Sequence, residues 1–326
     1  MRRLFAGFVA VVGLMGPAVA GLDAASVNDA NWESKPLSRD RIEPAIVKMQ
    51  VLLDRLGFSP GEIDGKLGEN AMKALRAFAD SKGLSFDGRK LTSDIWNALT
   101  ATGTDRVITD YKIGERDVKG PFLHKLPAKM EDMQGLKSVG YTSPREGLAE
   151  KFHMSEALLA ALNPGQKFDQ AGQQITVVNV LSAKDEKAPS TRVEVDKSKQ
   201  TVKVFSNSGQ LVAFFPATVG SREKPTPSGA LKITSIDAHP NYRYNPDYNF
   251  KGVKSKQPFT INPGPNNPVG SHWIGLSAEG YGIHGTPDPS KVSKAESHGC
   301  VRLTNWDADR LAKLVKKSME VTFIGQ

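Results

Sequence analysis

From Ile42 onward the apolar residues fall at helical spacing. Ile42, Ala45, Ile46, Met49, Leu52, Leu53 and Leu56 line one face and predict an amphipathic helix. Gly57 ends it, and a turn-rich loop, Ser59-Pro60-Gly61-Glu62-Ile63-Asp64-Gly65-Lys66-Leu67-Gly68, follows. Met72, Leu75, Phe78 and Ala79 predict a second helix. Thr92 stands at the N-cap of a third, just ahead of Ile95 and Trp96. Residues 42–100 therefore read as a small helical domain.

Between 105 and 180 the pattern mixes. Gly147 to Phe152 predicts a short helix, and Ser155 caps another that carries Leu158, Leu159 and Leu162. Asn163-Pro164 breaks it, and Gln174 to Val178 predicts a strand. Ser182 to Ser190 has linker composition. Beyond it the period becomes two: Val193 and Val195, then Val202 and Val204, alternate with polar neighbours. Further strands are predicted at Leu211–Val219 and Leu231–Ile236, and Thr304-x-x-Asp307 opens a helix through Leu311, Leu314 and Val315. Residues 191–326 thus predict a mainly β sandwich or barrel. The Pro/Gly/Asn-rich stretch from Ala238 to Val269, with Tyr242, Tyr244 and Tyr248, reads as a long loop. Two roles stay open for it, a lid or a packed loop.

The N-terminus changes the setting. Arg2 and Arg3 precede an apolar run from Leu4 to Val19 that is broken by Gly13, Gly16 and Pro17, and Ala18-Val19-Ala20 offers small residues for cleavage. Residues 1–20 are read as a signal peptide, too short and broken for a spanning helix, and 21–41 as a loose leader. Export to the periplasm is the expectation, with no stable membrane span after cleavage. The chain's formal charge of +8 falls by two without Arg2 and Arg3. The remaining charge is dispersed, without the basic, aromatic-interleaved segments of a nucleic-acid binder, so an anionic wall polymer is the expected partner.

Cysteine usage sharpens this. The chain has one cysteine, Cys300, which cannot form an internal disulfide. Export alone leaves it open between a buried small hydrophobe and a reactive thiol. Its neighbours decide: it lies in Ser297-His298-Gly299-Cys300-Val301-Arg302, sixteen residues after His284. A thiol attacks as thiolate, so a histidine base and a nearby arginine suit it. A zinc site is a poor reading, because His298 and Cys300 are two apart and no Cys-x-x-Cys or His-Glu-x-x-His accompanies them. His239 and His272 read as solvated loop residues.

These motifs carry three resemblances. The apolar first helix, the Gly61-x-Ile63-Asp64-Gly65-x-x-Gly68 loop and the later Phe78, Gly83-Leu84, Asp87-Gly88 and Trp96 resemble the peptidoglycan-binding domain 1 family. The order of elements over 105–180 is similar to a LysM module, a small α+β fold, which implies binding to N-acetylglucosamine of the glycan. Residues 191–326 resemble the L,D-transpeptidase (YkuD-type) catalytic domain, on His284, the Ser297-His298-Gly299-Cys300 run, Lys224-Pro225-Thr226-Pro227-Ser228-Gly229 and Pro263 to Gly270. That resemblance implies Cys300 as nucleophile, His284 as its base, and the amides of Gly299 and Cys300 as an oxyanion hole. His298 would shape the pocket and Arg302 would bind a substrate carboxylate. Gly285 has no hydroxyl, so a carbonyl or another group must orient His284. No cofactor or metal is implied. The partners implied are peptidoglycan stem peptides and glycan strands, with an envelope protein as a further acceptor. Water as acceptor would make a hydrolase, and a chain that had lost activity would be a non-catalytic wall binder. Since a polar linker separates the binding modules from the catalytic domain, tight coupling between them is not required.

Overall fold

The computed structural model describes residues 22–32, 40–88, 91–103, 105–180, 190–248 and 252–325. The expected signal peptide at 1–20, and all of the expected linker but Ser190, lie outside the described residues. Among the described residues no helix is long and apolar enough to cross a membrane.

The N-terminal helices follow their apolar spacing. They are α1 (Ala24–Asn28), α2 (Pro44–Arg55), α3 (Glu69–Ser81) and α4 (Ser93–Thr100). The Thr92 hydroxyl accepts from the Ile95 amide and starts α4. The leader departs from its expected looseness at α1, where Asp23 accepts from the Ser26 amide at 2.7 Å and Val27 is fully buried.

The middle region runs β1 (Ile108–Lys112), α5 (Glu115–Val118), α6 (Pro144–Lys151), α7 (Glu156–Leu162) and β2 (Gln174–Val178). β1 and β2 pair antiparallel from Ile108 opposite Val178 to Lys112 opposite Gln174. β1 escapes a reading by periodicity because only Ile108 among its five residues is buried. Helical and middle regions do not keep separate cores: Leu53, Phe78 and Leu99 join Phe152, Leu158 and Val177 in one apolar cluster.

The C-terminal region contains β3 (Ser190–Asp196), β4 (Thr201–Ser206), β5 (Leu211–Pro216), β6 (Gly229–Ala238), β7 (Tyr242–Tyr244), β8 (Phe259–Ile261), β9 (His272–Leu276), β10 (Gly282–His284), β11 (Val301–Arg302), α8 (Asn305–Leu314) and β12 (Glu320–Ile324). Eight strands form one sheet in the order β11-β10-β9-β6-β12-β3-β4-β5. β12 pairs parallel with β3 and β10 parallel with β11; the other pairings are antiparallel. Thr218 and Arg302 exchange two backbone hydrogen bonds of 2.9 Å, which returns the chain after β5 to β11 and curls the sheet towards closure. Val195, Val204, Phe215, Ile274 and Leu311 fill its core.

The N-terminal regions pack directly against the sheet, a closer coupling than the polar linker requires. Phe214 on β5 accepts from the Ser59 amide and donates to the Gly57 carbonyl, so the helical region continues the sheet edge. The Phe214 ring is buried in the N-terminal cluster, not in the sheet's own core. Buried Ser59 donates to buried Asp307 at 2.9 Å, and Arg310 donates to the Asp54 carbonyl at 2.7 Å. His153 bonds Asp54 and stacks on Trp306 at 5.1 Å. A composition-based linker says where the chain crosses, not how its flanks pack.

The stretch from Ala238 to Val269 also departs from a bare loop. β7 and β8 form a hairpin whose Tyr244, Phe259 and Ile261 pack with Met133 and Val139, from the segment between α5 and α6. The Val139 amide donates to Pro263 and its carbonyl accepts from Asn266, both at 3.0 Å. A Cβ on Gly264 would collide with the Val139 backbone, which fixes glycine at this close approach.

Candidate active site

Two short strands carry the chemistry. β10 ends at His284 and β11 at Arg302, and the two residues are register partners. Cys300 lies immediately before β11, so strand pairing brings together residues that are sixteen apart in sequence. Cys300, His284, His298 and Arg302 all line one cavity of about 750 Å³ with Trp273, Tyr281, Lys224 and Tyr242.

Side-chain hydroxyls hold the cysteine turn by its backbone carbonyls. Ser297 Oγ donates to the Cys300 carbonyl at 2.5 Å, and Thr226 Oγ1 donates to the Gly299 carbonyl at 2.8 Å. Gly299 has φ +111°, and a Cβ there would strike the Tyr281 ring. The Gly299 amide donates to Ser297 Oγ at 3.1 Å. Here the Gly299 N–H, expected in the oxyanion pair, donates to Ser297 Oγ, and the serine read as a simple turn residue locks the nucleophile's loop. Burial pushes the Cys300 thiol above its ordinary range, opposed by the Gly282 amide and the Arg302 charge, both of which favour thiolate.

His284 is buried and its Nδ1 lies 2.6 Å from the Gly285 carbonyl. A carbonyl only accepts, so Nδ1 carries the proton and Nε2 is left as the acceptor. Burial first, and the Arg302 charge second, bring its pKa down to about 3, against the Gly285 bond. The imidazole is therefore neutral at neutral pH, with the Nε2 lone pair unprotonated. Trp273 stacks on it at 5.6 Å, in a space kept by Gly282, where a Cβ would meet the indole.

Arg302 Nε is buried and has no hydrogen-bond partner among the described residues. A guanidinium held this way beside a cavity suits a carboxylate. His298 is exposed, and its pKa is lowered by partial burial and by Arg302 and Lys224. His239, read from sequence as a solvated loop residue, lines the cavity. His272 lies outside it, 3.4 Å from Asp309. Nothing in the sequence spacing marks Trp273, Tyr281 or Gly282 as site residues. The position of each beside His284 or Cys300 follows from strand pairing. Met130, from the middle region, also lines the cavity.

The L,D-transpeptidase catalytic domain profile, YkuD, matches residues 190–322, and a peptidoglycan-binding domain profile matches residues 43–99. The L,D-transpeptidase YkuD of Bacillus licheniformis is 31% identical over 182 residues, covering 54% of this chain and 91% of that one. Its namesake in Bacillus subtilis is 29% identical over 176 residues, covering 54% and 90%. The L,D-transpeptidase YbiS of Escherichia coli is 25% identical over 194 residues, covering 57% and 62%. With the two Bacillus relatives spanned almost end to end and the cysteine and histidine brought into one cavity, the chain belongs to the L,D-transpeptidase family.

Proposed function

We propose that this chain is a peptidoglycan L,D-transpeptidase in which Cys300 is the nucleophile and His284 the general base. The observation that carries the reading is a neutral, Nδ1-protonated His284 sharing a cavity with the chain's single thiol. Cys300 Sγ attacks the carbonyl carbon of the third residue of a stem tetrapeptide, and the thiol proton passes to His284 Nε2. The Cys300 amide donates to the developing oxyanion. The C–N bond then breaks, D-alanine leaves with the proton from His284, and a thioester remains. An acceptor amine attacks the thioester and gives its proton to His284, which restores the thiol. The acceptor is another stem's amine, forming a 3-3 crosslink, or the amine of an envelope protein. Arg302 holds a substrate carboxylate, His298 shapes the rim, and Gly299 serves through its backbone angle.

The helical region (42–100) and the middle region (105–180) hold the enzyme on its polymer. The antiparallel pair β1 and β2 enclosing α6 and α7, with the short α5 after β1, supports a LysM-like module with glycan as ligand. Export by a signal peptide places the enzyme in the periplasm.

The test is incubation of the mature protein with purified sacculi, followed by mass spectrometry of muropeptides. New 3-3 crosslinks that depend on Cys300 support transfer to an amine. Trimmed stems without crosslinks would make it a hydrolase, and an unchanged profile would overturn the enzymatic reading.

A further inference from the structure

His284 is oriented by the Gly285 carbonyl, and the peptide at Gly285 is itself held from outside the strand. The Asn305 side chain, at the start of α8, packs between Gly270 and Gly285; a Cβ on either glycine would collide with its Oδ1. That Oδ1 accepts from the Ser271 amide at 3.0 Å, fixing the β9 approach beside His284. Its Nδ2 donates to the Pro265 carbonyl at 3.1 Å and to both carboxylate oxygens of Glu150, at 3.0 and 3.2 Å. Glu150 lies on α6, in the middle region. Tyr141 donates a further bond to it at 3.3 Å, and its neighbour Glu146 accepts from Asn266 at 2.7 Å.

Asn305 touches both the middle region and the two glycines, Gly270 and Gly285. Its amide can turn only two ways. With the amide in place, Oδ1 faces Ser271 N–H and Nδ2 faces acceptors. Flipped, it would set Nδ2 against the Ser271 amide and Oδ1 against a carboxylate and a carbonyl. Glu150, together with the Ser271 amide and the Pro265 carbonyl, therefore fixes the amide orientation, and the side chain so held packs against Gly285. Burial lifts Glu150 to about 7, and the Asn305 bond opposes that lift.

We propose that Glu150 is a positioning residue for catalysis, acting through Asn305 on the Gly285 peptide that orients His284. The middle region thereby belongs to the active site's support as well as to wall binding. This inference rests on the reading of Cys300 and His284 as nucleophile and base.

The experiment uses the full mature chain and follows acylation of Cys300 by a carbapenem, read as a mass adduct over time. Four proteins are compared: wild type, Asn305→Asp, Glu150→Gln, and the pair Glu150→Gln with Asn305→Asp. Asn305→Asp keeps the acceptor for Ser271 but turns a carboxylate towards Glu150; its acylation should slow on the order of a hundredfold, as displaced catalytic geometry does. Glu150→Gln replaces the carboxylate that Asn305 binds with a neutral amide, so its acylation should fall several-fold, on the order of one hydrogen bond's worth. In the pair, the glutamine amide can donate to the introduced carboxylate, so the rate should recover at least tenfold over Asn305→Asp alone, on the order of one charge-assisted bond. The His284 tautomer, read by nitrogen NMR, should be mixed in Asn305→Asp and single in the pair.

If wild type forms no adduct, the nucleophile assignment has failed, and the positioning role falls with it. If wild type reacts but Asn305→Asp reacts as fast, or the pair recovers neither rate nor tautomer, the positioning role alone is overturned. A folded-state spectrum that is native for Asn305→Asp excludes simple unfolding. Should that variant not fold, the paired variant must still fold and react for the inference to stand.

Discussion

His284 and Arg302 sit opposite one another in the parallel pairing of β10 and β11, and the guanidinium helps to hold the imidazole neutral. With His284 brought down to about 3 and the Cys300 thiol raised, the resting pair at neutral pH is thiol and imidazole, not thiolate and imidazolium. Cys300 ionises later than an ordinary cysteine, so its thiolate fraction at pH 7 is smaller and grows as pH rises. The rate of alkylation by iodoacetamide should therefore climb through pH 9 without a plateau between pH 5 and 8. A plateau in that interval would mean a preformed ion pair and would contradict this electrostatic picture.

Replacing Cys300 removes the chain's only thiol. Cys300→Ala should form no carbapenem adduct and no crosslinks, while thermal unfolding stays close to wild type, because this partly buried side chain lies outside the apolar core clusters. Turnover above a few per cent of wild type would mean that another group attacks.

Arg302 gives a second kinetic signature. Its unpartnered Nε lies beside the cavity, where Arg302→Lys would keep the charge but lose the planar fork. Turnover on stem peptides should fall about tenfold or more, mostly in KM, as expected for a lost charge-assisted carboxylate contact. Alkylation of Cys300 by the neutral iodoacetamide should change far less. Equal losses in both assays would point to a role in folding the cysteine turn.

The parts of the fold legible in the sequence are those where one side chain decides a local outcome. Thr92, Ser155 and Thr304 each accept the amide expected of an N-cap, at the start of α4, α7 and α8. The valine pairs on β3 and β4 show their alternation directly. β12 is not legible in the sequence, though Val321 and Phe323 alternate, because its five residues follow a helix and a basic turn that hide a strand placed centrally in the sheet. The cysteine and histidine were legible as chemistry. What orients them was not, since Asn305 and Glu150 act across a contact between regions that no local pattern encodes. The same is true of Phe214, whose apolar character fits its strand but whose ring is buried in the other core.

Burial raises Asp307 to about 7, with the charge of Asp54 adding to the shift. An aspartate in the unfolded chain loses its proton near pH 4. Between those values the unfolded state binds fewer protons than the folded one, so this group makes stability fall as pH rises from about 4 to 7. Asp307→Asn can still accept from Ser59 but cannot ionise. It should flatten the decline, so that the melting temperature drops less between pH 5 and 8 than in wild type. An unchanged drop would show that Asp307 does not set this dependence.

The packing of the N-terminal regions against the sheet leads to the last prediction. Phe214 is 2% exposed and sits among the apolar side chains of the helical region, while its backbone bonds Gly57 and Ser59. Removing residues before Thr191 would bare that ring, leave Asp307 without Ser59 and Asn305 without Glu150, and open the Val139 contact with the Pro263–Asn266 turn. Each of these is a buried group losing its partner, which destabilises more than loss of an exposed contact. A chain begun at Thr191 should therefore melt well below the full chain and acylate slowly even with a soluble carbapenem, where tethering to the wall plays no part. Phe214→Ala in the full chain should cost about 3–5 kcal/mol, as for other large core truncations, and lower a single shared unfolding transition. Two separate calorimetric transitions, with only the first moved by Phe214→Ala, would mean that the regions fold independently. A shortened chain that acylates at the full rate would mean that the N-terminal regions serve the wall alone.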